Sequence, residues 1–330
     1  MDRRIGVIKL PINRLHIELT NACNFSCEFC PDSKMKRKRG FMSVDMAKSI
    51  LDQVSEFKDI NMVLFHVLGE PTLHPDLIEI AGYASSRKLK TCITTNGSRL
   101  SRDMLHALQK AGARHIIISL QTPDERTFSM RGAKDISFSE YADQITSAVK
   151  TLIDEELDIE LTISFLSSPL RRLIIPIAKE FSIADTSKQL RAYLKLWAEK
   201  VMTGTTLEDR LPQVLKKIKR ARCFSQNRIR LSDRLSFETR IVGDWSTHFQ
   251  KRIVKARFGY CPGLQENFGI LWNGDYVFCC TDYEGRTSTA NFNDMSIRDY
   301  LSSGPVQEMV KGMQRFSEFA CETGRLCIIL

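Results

Sequence analysis

The chain has 330 residues, of which 43% are hydrophobic and 26% charged, and its formal net charge is +9. This balance is that of a globular protein and excludes a disordered chain. The longest apolar runs, 116–120 and 173–178, are far shorter than the ~20 residues that cross a membrane, so no membrane partner is expected. The basic N-terminus lacks the apolar block of a secretory signal, which predicts a cytoplasmic protein. Ten cysteines then indicate metal or redox chemistry, and no nucleic-acid motif accompanies the positive charge.

The first predicted strand, 15–19, leads directly into a cluster of three cysteines. Cys23, Cys27 and Cys30 lie within eight residues in "CNFSCEFC". Thiolates are soft ligands for zinc or iron, but a closed zinc site needs four ligands and no fourth cysteine or histidine follows nearby. Three thiolates hold a [4Fe–4S] cluster with one iron left open for a small molecule. Part of a zinc site, or three unrelated cysteines, are the alternatives.

Strands and helices alternate after this cluster. Strands are predicted at 61–67, 90–96, 115–121 and 159–166, and helices at 76–89, 101–112, 138–155 and 169–182. Residues 189–199 alternate apolar and polar side chains, which favours a sixth strand, with a helix as the alternative. This alternation predicts an α/β fold with a parallel sheet, in which functional loops follow the carboxyl ends of the strands.

A basic stretch follows at 201–257, and it is expected to be helical beyond Pro212. Either it is a linker with a solvated basic face, or it is a lid that clamps an anionic substrate. The charge run 34–39, after the cysteine cluster, has the same two interpretations.

The C-terminal segment, 258–330, contains a second group of cysteines. Asn273 and Gly274 predict a hairpin turn between two strand-like runs. Four cysteines could be gathered around one metal centre by this hairpin and the segment after it: Cys261, Cys279, Cys321 and Cys327. Cys280 could replace Cys279, because neighbours on a strand point to opposite faces. A structural zinc site with the same thiolates is the alternative.

"CNFSCEFC", with an aromatic residue before its third cysteine, resembles the signature of the radical S-adenosylmethionine (SAM) superfamily, and the resemblance extends over residues 12–200. It implies a partial (β/α)6 TIM-like barrel in which Cys23, Cys27 and Cys30 bind a [4Fe–4S] cluster. The amino and carboxylate groups of SAM would chelate the open iron of that cluster.

Further motif matches imply contacts with SAM. "LGEP" resembles the motif that faces the SAM ammonium, with Leu68 in place of its first glycine. Gln121, in a ribose-contacting position, replaces the commoner aspartate, and Arg131 matches an arginine that pairs with the SAM carboxylate. The implied SAM-binding residues are Phe29 beside the adenine, Gly69, Glu70, Pro71, Thr95, Asn96, Ser119, Gln121 and Arg131.

The C-terminal segment resembles the SPASM or shortened twitch module of radical SAM enzymes, a small β-hairpin and helix module. Because the expected flanking cysteines are missing, the resemblance implies one auxiliary [4Fe–4S] cluster at Cys261, Cys279, Cys321 and Cys327. The predicted domains are a core at 1–200, a basic linker or lid at 201–257 and the auxiliary module at 258–330.

The resemblance implies reductive cleavage of SAM to a 5′-deoxyadenosyl radical, which removes hydrogen from a polar substrate, carbohydrate-like or anionic. Dehydrogenation, with the auxiliary cluster accepting the second electron, is the expected outcome. Epimerisation with Cys223 or Cys280 as hydrogen-atom donor, modification of a peptide, and a non-catalytic iron–sulfur or zinc regulator are the alternatives. The expected partners are a small-molecule or peptide substrate and an electron donor of flavodoxin or ferredoxin type.

Overall fold

The computed structural model describes residues 12–169, 182–242, 263–264 and 266–314. The strands are β1 (Arg14–Ile17), β2 (Met62–Phe65), β3 (Lys90–Thr95), β4 (His115–Gln121), β5 (Glu160–Ser167), β6 (Asn227–Arg230), β7 (Leu235–Ile241), β8 (Asn267–Ile270) and β9 (Tyr276–Val277). The helices are α1 (Val44–Ser55), α2 (Leu77–Ser86), α3 (Arg102–Lys110), α4 (Glu125–Phe128), α5 (Phe138–Asp154), α6 (Ser187–Met202), α7 (Leu211–Ile218), α8 (Ile297–Ser302) and α9 (Gly304–Gln314).

The chain divides into two compact units, and the divisions fall after Cys23, after Ser33, within β3 and after residue 243. In the described residues, the first unit contains 12–23, 34–93, 263–264 and 266–314. The second unit contains 24–33, which we call the cysteine loop, together with 94–169 and 182–242.

In the first unit the strand order is β3-β2-β1-β8-β9. β1 pairs in parallel with both β2 and β8, whereas β8 and β9 form an antiparallel hairpin. The predicted hairpin at Asn273–Gly274 is therefore confirmed, and Gly274 supplies the positive φ, +92°, that its turn requires. β8 thus places the C-terminal segment directly beside the first strand.

In the second unit the strand order is β4-β5-β7-β6. β4, β5 and β7 are parallel, and only β6 is antiparallel to its neighbour. α5 buries apolar residues at intervals of three and four, among them Tyr141, Ile145, Ala148 and Leu152. The predicted α/β fold with a mostly parallel sheet is confirmed.

The predicted strand at 189–199 is wrong, because these residues form helix α6. Leu190, Leu194 and Trp197 are fully buried at helical spacing. The local signal that decides between the two forms is a capping box, in which Thr186 and Gln189 satisfy each other's backbone N–H groups at the helix start. An alternating pattern of apolar residues did not exclude a helix here.

The sixth parallel strand is instead β7, which lies within the stretch expected to be a linker, 201–257. α7 confirms the predicted helix beyond Pro212. The helix expected at 169–182 lies almost entirely outside the described residues. No helix in the described ranges has the length and apolar character needed to cross a membrane.

Candidate active site

The backbone of the cysteine loop is fixed by the turn that follows α4. The N–H of Ser26 donates to the carbonyl of Arg131 at 3.0 Å, and the N–H of Glu28 donates to the carbonyl of Met130 at 2.8 Å. Gly132 has φ +54°, and a Cβ there would lie 2.6 Å from the Ser26 carbonyl oxygen. Only glycine allows this approach, so the second unit holds the loop through backbone contacts.

The Arg131 side chain extends the same arrangement. It is 1% exposed, and its Nη1 donates to the Ser119 carbonyl at 2.9 Å and to Gln121 Oε1 at 2.8 Å. Its guanidinium lies 5.0 Å from the Phe25 ring and 6.0 Å from the Phe29 ring, within the range of cation–π attraction. Arg131 therefore joins the carboxyl end of β4 to the cysteine loop, and its contact with the SAM carboxylate stays a prediction.

Two of the cysteines lie in one turn of this loop, where the Cys30 N–H donates to the Cys27 carbonyl at 3.0 Å. Burial raises the pKa of the Cys27 thiol, and the positive charge of Arg131 opposes that rise. A cation beside a thiol favours the thiolate, the form that binds iron, so these residues fit a cluster. In the described part of the chain, no three His, Cys, Asp or Glu side chains lie close enough together to hold a metal ion.

Phe29, predicted to lie beside the adenine of SAM, packs with Ile183 and Val242 in a buried apolar cluster. Cys27 and Met130 border the same cluster. Phe29 therefore anchors the cysteine loop to the rest of the second unit.

Cys23 belongs to the first unit, where the "LGEP" segment contacts the residues just before it. Gly69 has φ +80°, and a Cβ there would collide with the Thr20 carbonyl oxygen. The N–H of Glu70 donates to the Ala22 carbonyl at 2.8 Å. The positive φ that this motif requires is thus at Gly69 and not at residue 68. Leu68 can therefore replace the first glycine of the motif.

The Glu70 carboxylate, predicted to face the SAM ammonium, is 1% exposed. Its Oε1 accepts from the Thr72 N–H at 3.0 Å and from the Thr72 hydroxyl at 2.7 Å. It thereby caps a short 3-10 turn that begins at Pro71.

The "TTNG" segment at the end of β3 contacts the start of the cysteine loop. Asn96 Nδ2 donates to Asn24 Oδ1 at 2.8 Å, and Asn24 Nδ2 donates to the Ser98 hydroxyl at 2.9 Å. Thr95 accepts from the Gly97 N–H at 3.0 Å. Asn96, which we predicted as a SAM contact, therefore helps to position the cysteine loop.

A buried ion pair that the sequence did not reveal lies at the end of β1. Glu18 is fully buried, and Arg37 Nη2 donates to both of its carboxylate oxygens, at 2.8 and 2.9 Å. The Trp272 N–H also donates to Glu18 Oε2, at 3.3 Å. Burial raises the pKa of Glu18, and the attraction of Arg37 opposes that rise.

The segment around Arg37 contacts the C-terminal hairpin and the loop that follows it. Arg37 Nε donates to the Tyr283 carbonyl at 2.5 Å, and the Lys36 N–H donates to Glu284 Oε1 at 2.8 Å. A Cβ on Gly40 would collide with the Trp272 ring. Both predicted interpretations of the charge run, a solvated face and a clamp on an anionic substrate, are therefore wrong for Arg37, which is in a buried ion pair. Within a charge run the sequence does not distinguish an arginine that pairs with a buried carboxylate from one that is solvated. The sequence signal for this ion pair was Glu18, an acidic residue at the end of an apolar strand.

The candidate auxiliary ligands are only partly described. Cys279 and Cys280 are half-buried and lie in a bend and turn after β9, not on a strand, so the opposite-face argument does not apply to them. Cys279 Sγ lies 3.0 Å from the Thr281 hydroxyl. Cys261, Cys321 and Cys327 lie outside the described residues.

Cys223, a predicted hydrogen-atom donor, is fully buried in the second unit. Its carbonyl accepts from the Ser167 hydroxyl at 2.8 Å, and its N–H donates to the Ser187 hydroxyl at 3.1 Å. These contacts tie the loop after α7 to the end of β5 and the start of α6.

Comparison with known families agrees with this arrangement. Residues 17–166 match the family model of the radical SAM superfamily, and residues 261–327 match that of the SPASM iron–sulfur cluster-binding domain. The chain belongs to the radical SAM superfamily. A radical SAM domain has a [4Fe–4S] cluster and binds SAM, and a SPASM domain binds an auxiliary iron–sulfur cluster.

Curated relatives match only part of this radical SAM chain. It is 32% identical over 106 residues to a tungsten-containing aldehyde ferredoxin oxidoreductase cofactor-modifying protein of Pyrococcus furiosus, covering 32% of this chain and 30% of that protein. It is 34% identical over 147 residues to a probable GTP 3′,8-cyclase of Saccharolobus islandicus, covering 44% of each. The chain thus spans less than half the length of these curated relatives.

Solved structures match over most of the chain. BtrN in complex with AdoMet and 2-DOIA is 14% identical with a TM-score of 0.53, covering 92% of this chain and 87% of BtrN. SuiB of Streptococcus suis, bound to S-adenosylmethionine, is 18% identical with a TM-score of 0.59, covering 91% of this chain and 67% of SuiB. At these identities the likeness shows the fold alone, which agrees with the predicted α/β fold.

Proposed function

We propose that this chain is a cytoplasmic radical SAM dehydrogenase that oxidises a polar small molecule, with its auxiliary cluster as the acceptor of the second electron. Bound SAM supplies a 5′-deoxyadenosyl radical on one-electron reduction. In this proposal Cys23, Cys27 and Cys30 bind the first cluster. Phe29 and Gly69, together with the segments around Glu70 and Asn96, position SAM.

The observation on which this proposal chiefly depends is the way the C-terminal segment is attached to the core within the first unit. β8 pairs along the whole of β1, and the Glu18–Arg37 ion pair holds both Trp272 and Tyr283. A hairpin fixed in this manner keeps the loop with Cys279 in one place relative to β1. A fixed acceptor suits electron transfer from a substrate better than a mobile one does.

A row of polar side chains on the sheet of the second unit supports the proposal that the substrate is polar. Ser164 on β5 pairs with Glu238 on β7, and Thr162 pairs with Ser236, so these four side chains lie on one face of the sheet. Strands of a parallel sheet are normally apolar on both faces. Such a row therefore suits a ligand with several hydroxyl or amino groups.

Epimerisation is the second candidate, and the half-buried thiol of Cys280 favours it. A hydrogen-atom donor must reach the substrate carbon, which the fully buried Cys223 cannot do without a rearrangement of its loop. We therefore propose Cys280 as the donor if the outcome is epimerisation. Modification of a peptide stays a prediction from the sequence.

The experiment uses the anaerobically reconstituted full chain with dithionite, SAM and a panel of aminocyclitols and monosaccharides in D2O. Dehydrogenation predicts a product that has lost two hydrogens and contains no solvent deuterium at the oxidised carbon. Epimerisation predicts a product of unchanged composition with one deuterium, and Cys280→Ala should abolish that incorporation. Absence of 5′-deoxyadenosine with intact clusters would contradict a catalytic function altogether.

A further inference from the structure

One short region of the second unit has a large surplus of positive charge. Residues 210–240 contain ten lysines and arginines against two acidic residues, a surplus of eight positive charges in a chain whose net charge is +9. All ten of these cationic side chains are exposed. A concentration of one sign of charge on a surface attracts partners of the opposite sign.

Half of these cations lie at the end of α7 and in the loop after it. Val214 and Ile218 are the buried residues of α7, so the lysines between and after them face outward. Phe224, in the loop, is 59% exposed. We call the following residues the basic surface: Lys216, Lys217, Lys219, Arg220, Arg222 and Phe224.

The charges of the basic surface are not neutralised within the described ranges. Two neighbouring arginines form salt bridges, Arg234 with Asp158 and Arg240 with Glu238. The five cations of the basic surface form no salt bridge with any described carboxylate. Their positive charge is therefore available to a partner.

The loop that presents Arg222 and Phe224 is well ordered by hydrogen bonds. Asn227 accepts from the Arg222 N–H at 3.1 Å and donates to the Arg222 carbonyl at 2.8 Å. Between the two exposed side chains, Cys223 is buried and accepts from the Ser167 hydroxyl at 2.8 Å. A pre-formed loop loses little conformational entropy when a partner binds it.

The same contacts lead from the basic surface to the cysteine loop within the second unit. The Ser167 carbonyl accepts from the Val242 N–H at 2.8 Å, and Val242 packs against Phe29. Phe29 lies between Cys27 and Cys30 in the chain. Four residues, Cys223, Ser167, Val242 and Phe29, therefore connect the basic surface to the thiols that would hold the SAM cluster.

We propose that the basic surface is the docking site of an acidic one-electron carrier protein of flavodoxin or ferredoxin type, which reduces the cluster held by the cysteine loop. In this step the carrier is oxidised by one electron and the cluster is reduced by one electron, with no atom or proton transferred. This docking role rests on the proposed function, because SAM cleavage consumes an electron. Redox encounters use small interfaces whose association is steered by charge.

A nucleic acid fits this surface less well. Single-stranded nucleic acids are bound by basic grooves with several stacking aromatic side chains, whereas the basic surface has one exposed aromatic residue, Phe224. A nucleic acid would also donate no electron, so a path from this surface to the cysteine loop would serve no purpose in binding it.

The experiment compares two electron sources for the anaerobic holoenzyme: dithionite, which needs no docking, and a purified bacterial flavodoxin with its NADPH-dependent reductase. The variant is K216E/K219E/R222E, and the control is K58E/K88E/K90E, which makes the same charge change at exposed lysines of the first unit. We expect the basic-surface variant to lose about tenfold in flavodoxin-driven 5′-deoxyadenosine formation at low salt, with the dithionite-driven rate unchanged. The control should retain both rates.

Binding of the flavodoxin to each holoenzyme provides a readout that does not depend on turnover. The dissociation constant should rise about tenfold in the basic-surface variant, and the wild type should lose affinity as salt is raised. Equal flavodoxin affinity in wild type and variant, loss of the dithionite-driven rate as well, or selective loss of binding to duplex DNA or tRNA would each overturn the docking site. A wild type that binds flavodoxin but forms no 5′-deoxyadenosine with dithionite would refute the proposed function and leave the docking site supported.

Discussion

Two buried arginines hold the two cysteine-bearing regions of this chain, and they do so in different ways. Arg131 holds the cysteine loop of the second unit by donating to oxygens of neutral groups, the Ser119 carbonyl and the Gln121 amide. Arg37 holds the C-terminal hairpin of the first unit through the carboxylate of Glu18. Among the described hydrogen bonds, those of Arg131 therefore go to neutral groups, whereas Arg37 is in a buried ion pair.

This difference suggests different uses of the charge. The Arg131 guanidinium lowers the pKa of the Cys27 thiol against the effect of burial, so its charge acts on a candidate iron ligand. The charge of Arg37 is balanced by Glu18, and the pair serves to join β1 to the hairpin. We expect changes at Arg131 to affect the first cluster and changes at Arg37 to affect the auxiliary region.

The largest expected effect tests whether the two cysteine regions are independent. Cys27→Ala should abolish SAM cleavage, because two thiolates cannot retain the cluster that binds SAM. Cys321→Ala should keep much uncoupled SAM cleavage but stop turnover of substrate. Iron content, together with 5′-deoxyadenosine and product formation, distinguishes the two variants. Equal loss of iron from both, down to the apoprotein, would contradict two independent clusters.

The next effect concerns the Glu18–Arg37 pair. Arg37→Met leaves a buried carboxylate without its cation and should lower the free energy of unfolding by about 3–5 kcal/mol. Glu18→Leu combined with Arg37→Met should recover most of that loss, because it removes both charges. Arg14→Met is the matched control, since Arg14 pairs with Glu266 at the surface of the same unit and such pairs contribute about 0–1 kcal/mol.

The stability deficit of Arg37→Met should depend on pH, and the pKa of Glu18 fixes the direction of this dependence. Burial raises the pKa of Glu18 in the folded protein, so protonation favours the folded state. Stability linked to this group is present below its unfolded value, about 4.3, and is lost as pH rises through the raised pKa. The deficit of Arg37→Met should therefore shrink as the pH of a urea titration is lowered towards 5. A deficit that grows with acid would contradict a buried carboxylate at this position.

Residues 23–30 show how much of the site could be predicted from the sequence. The spacing of three cysteines predicts the ligands of one cluster, and the structure places Cys27 and Cys30 in one turn. The same holds for Gly69, whose positive φ is a local demand of the backbone. Segments whose structure is decided by local chemistry were therefore predicted.

Contacts between distant segments could not be predicted. Arg37 and Trp272 are more than 200 residues apart, and nothing in the charge run 34–39 distinguishes Arg37 from its neighbours. For α6, the alternating pattern of 189–199 also fits a helix, and the deciding capping box lies before it at Thr186. β7 was missed because its alternation is hidden within a basic stretch.

A smaller effect is expected for Arg131. Arg131→Met should lower the free energy of unfolding by about 2–3 kcal/mol, because buried carbonyl and amide oxygens lose their donor. Arg131→Lys should keep the charge beside Cys27 but lose the paired hydrogen bonds, so it should retain more iron on reconstitution than the methionine variant does. Urea unfolding and iron content measure the two effects. Full iron content in Arg131→Met would contradict an electrostatic effect on Cys27.

The smallest effect is a loss of stability in acid that arises from His16, a residue of β1 that lies two positions before Glu18. His16 is 6% exposed, its Nδ1 lies 3.3 Å from the His66 carbonyl oxygen, and burial lowers its pKa well below the usual value, with the His66 ring adding to the effect. The unfolded chain therefore binds a proton near pH 6.5 that the folded chain does not, and stability should fall as pH drops below that value by up to about 1.4 kcal/mol per pH unit. The hydrogen-exchange protection factors of β1 and β8, which correct for the intrinsic pH dependence of exchange, should fall between pH 7 and 5.5, while those of the cysteine loop should not. His16→Asn should flatten this dependence, and His106→Asn, at an exposed histidine of α3, should leave it unchanged. If His16→Asn keeps the full acid sensitivity, another group is responsible, and the contrast between the two units does not extend to pH.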